Sequence, residues 1–106
     1  MPTATLNGTV IAEASDKEVV LIEGNVYFPP SALREGVLTE SPTPYTCPWK
    51  GAAQYFTVQV DGGDAYPDRA FSYPEPFPSA IERVGRDFSG YVVFWKEVQV
   101  DRAKAA

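Results

Sequence analysis

A mainly antiparallel β fold, closed or curled into a barrel-like form, is what the sequence predicts, and three observations predict it. Strand-like segments recur at intervals of roughly ten residues. Period-2 alternation with β-branched and aromatic residues outweighs any helical period, which is confined to two short stretches. Punctuation is dense, with 10 Pro and 8 Gly in 106 residues. No internal repeat and no composition shift divides the chain, so a single domain over residues 1–106 is expected.

Residues 9–14 (TVIAEA) read as a strand and Ser15-Asp16-Lys17 as a turn. Residues 17–23 (KEVVLIE) form a second strand, and Gly24-Asn25 offers a tight turn at positive φ into a third over 26–28. Pro29-Pro30 ends that strand, residues 31–34 favour one helical turn, and Gly36 stops it before a short strand over 37–40. Residues 41–51 carry three prolines and read as a loop, because proline cannot donate to a sheet ladder. The clearest strand is 53–60, with Ala53, Tyr55, Thr57 and Gln59 on one face and Gln54, Phe56, Val58 and Val60 on the other. Asp61-Gly62-Gly63 signals a turn, residues 70–73 a strand, and the prolines at 74, 76 and 78 an irregular stretch in which the Tyr73-Pro74 bond could be cis. Ser79 fits a helix N-cap for residues 80–84, with Glu82 in capping-box register. Ser89-Gly90 precedes strands over 91–95 and 98–101, and the tail 102–106 is expected to fray.

Composition removes whole classes of chemistry. There is no His, so Ser-His-Asp and Cys-His catalysis within one chain and Cys/His zinc sites are excluded. A single Cys forbids an intrachain disulfide and favours a reducing compartment. Residues 1–7 show neither a basic nor an apolar run, so no signal peptide is expected and a cytoplasmic location is the default. The net charge is −5 and is spread along the chain. The one basic concentration, Arg83 and Arg86, is interleaved with Glu82 and Asp87. Neither nucleic acid nor membrane is therefore an expected partner, and a monomer or weak homodimer is.

Cys47-Pro48-Trp49-Lys50-Gly51 is an uncommon pentapeptide, and it occurs with Asn7-Gly8, Tyr27-Phe28-Pro29-Pro30, Phe71-Ser72-Tyr73-Pro74-Glu75-Pro76, Ile81, Gly90 and Val93-Phe94-Trp95 in this order. Over about residues 4–101 the pattern resembles the family catalogued as domain of unknown function 427, sometimes labelled nucleotidyltransferase-like. The family often carries Trp where this chain has Phe71. The resemblance implies small twisted antiparallel sheets in a tent-like or open-barrel arrangement, in a stand-alone cytoplasmic bacterial protein of unsettled role. No acidic pair in a Gly-Ser context accompanies the nucleotidyltransferase label here.

The residues themselves offer a candidate site. Aromatic Trp49, Tyr45, Tyr55, Tyr27, Tyr73 and Phe77 stand in or beside the Pro-rich loops and some could wall a pocket, with Lys50 and Arg34 meeting an anionic group. Glu75, fixed between two prolines, could pair with either cation. Cys47, three residues from Lys50, could be an activated thiol, although free Cys is more often a small buried hydrophobe and no His can serve as its base. The expected function is binding of a small or anionic ligand at the CPWKG and YPEP loops, without cofactor or metal. An enzyme using Cys47 and Lys50, and an interaction module or homodimer, are the alternatives.

Overall fold

The computed structural model describes residues 1–101, so the expected fraying of 102–106 falls outside it. Its centre is a four-stranded antiparallel sheet in the order β10-β9-β8-β5, built from Leu38–Glu40 (β5), Gln54–Val58 (β8), Tyr66–Ser72 (β9) and Val92–Phe94 (β10). A three-stranded sheet, β11-β1-β2, joins Gln99–Asp101 (β11), Thr3–Leu6 (β1) and Thr9–Glu13 (β2). Two hairpins complete the strands: Val20–Ile22 with Asn25–Tyr27 (β3, β4), and Thr46–Cys47 with Gly51–Ala52 (β6, β7). The single helix, Pro78–Val84 (α1), is closed by Gly85 at φ 87° in the left-handed conformation that glycine adopts without steric cost. The sheets are separate, and none closes into a barrel among the described residues.

Alternation along β8, β9 and β10 sends side chains to opposite faces and so makes two cores. On one face Val58, Ala70, Val92 and Phe94 join Ala4, Leu6, Ile11, Phe28 and Val98 under the three-stranded sheet. On the other, Val93 joins Val20, Ile22, Tyr27, Cys47, Tyr73, Ala80 and Phe88, with Trp49, Ala53 and Phe71 packed against them. Hairpin β3-β4 is tied to the central sheet by the reciprocal Phe28 and Val92 backbone bonds of 2.9 and 2.8 Å.

Several boundaries depart from expectation for local reasons. β1, not foreseen from the sequence, exists because β2 and β11, from opposite ends of the chain, pair on either side of it. The β3-β4 hairpin turn is Glu23-Gly24, one residue earlier than expected, with φ 55° and 82°. The 41–51 segment is not wholly irregular: Thr46 and Cys47 pair with Ala52 and Gly51 around the Pro48-Trp49-Lys50 turn. β9 begins at Tyr66, well before residue 70, and accommodates Pro67 in a bulge. Helix α1 starts two residues earlier than Ser79 would cap it: Phe77 is the cap residue, Pro78 occupies the first helical position, and no side-chain cap bond forms. Proline's fixed φ, compatible with a first helical residue, sets that start. The Tyr73-Pro74 bond is trans, as are all peptide bonds among the described residues.

Candidate functional site

Lys50 lies at the end of the CPWKG turn and is one of two buried polar residues in the described chain, at 5% exposure. Burying an ammonium requires compensation. It comes first from Glu23, whose Oε1 accepts from Lys50 Nζ at 2.7 Å. Two ring faces add to it, with Nζ 5.0 Å from the Trp49 centroid and 5.2 Å from that of Tyr73. Arg83 of α1 stacks on the same indole at 4.4 Å. The hydrogen bond from Lys50 holds the Glu23 carboxyl below its ordinary range, against a smaller opposing effect of burial.

Glu23 occupies a backbone conformation that disfavours it. A two-residue hairpin with both central residues at positive φ is the usual place for Asn-Gly, as at Asn7-Gly8, where φ is 50° and 86°. Glutamate at φ 55° gives up that local preference, and its side chain reaches the lysine 27 residues along the chain. Glu75, expected to pair with Lys50 or Arg34, pairs with neither among the described residues, and the partner of Lys50 is Glu23. The only advance signal was a Glu where a turn normally takes Asn or Gly.

The remaining sequence candidates divide into three places. Cys47, Tyr27 and Tyr73 lie in the second core, with the Lys50 ammonium over the Tyr73 ring. Tyr27 is fully buried, sits edge-on to Phe88 at 5.7 Å, and its hydroxyl has no hydrogen-bond partner. Burial, with help from the Glu23 and Cys47 charges, drives its phenol pKa upward, and burial does the same at Tyr73. Tyr55 lies further along the same sheet face, against Phe71 at 5.6 Å. Arg34 does not join them: its amide donates to Ile11 O at 2.8 Å, and it lines a depression of about 230 Å³ beside Val10, Glu13 and Leu33. The expected meeting of Arg34 with Lys50 is therefore lost, because the 30–34 turn packs on β2.

Glu75 is exposed and makes no ion pair or hydrogen bond among the described residues. It lines a cleft of about 420 Å³ with Ala52, Ala53, Gln54, Pro74 and Phe77. The cleft lies where the two Pro-rich segments meet: Phe77 N donates to Lys50 O at 3.1 Å. Gly51 lies at this junction with φ 114°, a backbone conformation that residues with a Cβ rarely adopt. Phe77, one of the aromatics expected to wall a pocket, is the large aromatic side of the cleft at 43% exposure.

Fold and site together define a small mainly β domain whose central sheet carries an aromatic cluster with one buried, ion-paired lysine on one face. The chain belongs to the family described as Domain of unknown function (DUF427), whose model matches residues 3–105. No curated protein matches the chain. Among the described residues no helix is long and apolar enough to cross a membrane.

Proposed function

We propose that the domain binds a small ligand in the cleft between the CPWKG and YPEP loops. The observation that carries this is the cleft itself, about 420 Å³ and within the usual range of ligand sites, with the exposed Phe77 ring and the unpaired Glu75 carboxylate on its lining. Its charge speaks against the anionic occupant expected from Lys50 and Arg34. Lys50 is neutralised by Glu23 and Arg34 lies elsewhere, whereas the lining holds one charged group, an acid. A neutral or cationic group on an apolar body complements it. Binding is favoured over catalysis by Cys47, which is 6% exposed, and by the commitment of the Lys50 ammonium to Glu23.

A thermal-shift comparison of alkyl- and arylammonium compounds with carboxylates of matched shape tests this. An ammonium compound at about 100 times its Kd adds about 2.7 kcal/mol to the stability of the native protein. That gain should disappear in Glu75→Gln and in Phe77→Ala. Equal shifts from both compound classes, or shifts unchanged in both variants, would refute the assignment.

A further inference from the structure

A second set of groups, away from the cleft, centres on Asp68. Between the pairs Phe56 with Ala70 and Val58 with Tyr66, one residue of β8 faces three of β9, Pro67, Asp68 and Arg69. Such bulges re-aim side chains and are frequent beside binding sites. Asp68 also has φ 58°, a left-handed conformation uncommon outside glycine. Its Oδ2 accepts from Thr43 Oγ1 at 2.7 Å, whereas Oδ1 is buried without a donor. Buried acceptors in native proteins are rarely left so. The neighbouring hydroxyls of Ser41 and Thr43 hold the carboxyl below its ordinary range, so the acceptor carries charge.

The surroundings are aromatic. Trp95 Nε1 donates to the backbone O of Asp68 at 2.7 Å, which fixes the indole on the bulge with 40% of Trp95 exposed. Phe71 stands edge-on to Trp95 at 6.0 Å and meets Tyr55 at 5.6 Å. Asp68 is among the charges raising the Tyr55 phenol, after burial and Tyr45. Among the described residues no cation bonds to the carboxylate: Arg69 is bound to Glu97 and to Pro67 O, and Lys96 Nζ lies 4.6 Å over the Trp95 ring. The Lys96 contact shows that the indole face already accepts a positive charge.

We propose that Asp68, at the end of the ring series Trp95, Phe71 and Tyr55, is a binding site for a guanidinium group. Such a group is planar enough to lie on half-exposed rings, carries the charge that a carboxylate needs, and offers forked N–H donors that match a carboxylate. The source is either a free guanidino compound or an arginine side chain of a partner polypeptide.

Titration of the full chain, followed by the two indole N–H resonances, tests this. N-acetyl-arginine amide should give a saturable shift at Trp95 and leave Trp49 in place, and N-acetyl-citrulline amide, uncharged but similar in shape, should give none. Asn tolerates the left-handed conformation and can still accept from Thr43, so Asp68→Asn should keep the fold and weaken binding by about tenfold or more. Tyr55→Leu should weaken it too, and Glu75→Gln should not. Tighter binding of a Gly-Gly-Arg-Gly-Gly peptide than of the amide assigns the site to a polypeptide partner, and equal binding to a small guanidino compound. No saturable shift at Trp95, an equal response to citrulline, or an unchanged affinity in Asp68→Asn would overturn the proposal.

Discussion

On one face of the β10-β9-β8-β5 sheet the buried side chains are Ala, Val, Leu, Ile and Phe. On the other face they include two tyrosines, the single cysteine and, beside them, Lys50. The first face is closed by a second sheet whose strands come from both ends of the chain. The second is covered by a hairpin, a turn and a seven-residue helix, and its aromatic run ends in the half-open Tyr55, Phe71 and Trp95. An apolar core needs nothing but packing, whereas a core with polar groups needs a partner for each. The two faces therefore separate holding the fold from carrying chemistry.

The largest expected effect tests that separation. Phe28, fully buried in the first core and 5.9 Å from Phe94, and Phe88, fully buried between Tyr27 and Tyr73, should each cost about 3–5 kcal/mol when replaced by Ala. Their local consequences should differ. In Phe28→Ala, labelling of Cys47 by a thiol reagent should track global unfolding measured by denaturant titration. In Phe88→Ala it should run faster than global unfolding, because the cover over Cys47 opens locally. Identical labelling behaviour in the two variants would mean that the faces are one cooperative core.

The first face was the more legible in sequence. Alternation over 54–58 placed Phe56 and Val58 opposite Tyr55, and both packing arrangements follow from that period. β1 escaped because four residues, TATL, are too few for a period to stand out, and its pairing is nonlocal. On the second face the CPWKG and YPEP segments were recognisable as a unit, and the Phe77 to Lys50 backbone bond joins them. Which charges meet was not legible. Glu75 and Glu23 are both acids near a proline or glycine, and only the hairpin's geometry brings Glu23 to 2.7 Å from the lysine. The Asp68 bulge was hidden for a similar reason, since Pro67 reads as a strand breaker when the partner strand's register is unknown.

A smaller effect sharpens the electrostatic half of the comparison. Glu23→Gln removes the charge that compensates Lys50, and because Glu23 is half-exposed the cost at neutral pH should be about 1 kcal/mol. The sign with pH follows from the depressed Glu23 pKa. The stabilisation is complete above the unfolded carboxyl's ordinary value of 4.5 and is lost as pH falls through the lower folded value. Wild type also loses stability there through Glu18, Asp68, Asp87 and Glu97, all depressed likewise, so the informative quantity is the difference between the two proteins. Denaturant titrations from pH 7 to pH 3 should show that difference shrinking towards acid. A difference constant with pH would place the cost in packing.

The smallest effect has the opposite sign and probes the polar character of the second face most directly. Tyr27 is fully buried and its hydroxyl lacks a partner. In the first core every large buried side chain is a hydrocarbon, so any truncation there removes contacts and destabilises. Tyr27→Phe removes one unsatisfied oxygen and leaves the ring on Phe88, so it should stabilise the protein by up to about 1 kcal/mol in denaturant titration. A gain would mean that this face keeps a polar atom at a cost to stability, beside the buried lysine that it also compensates. A loss would mean that the hydroxyl is satisfied in solution, and the second face would then obey the same packing rule as the first.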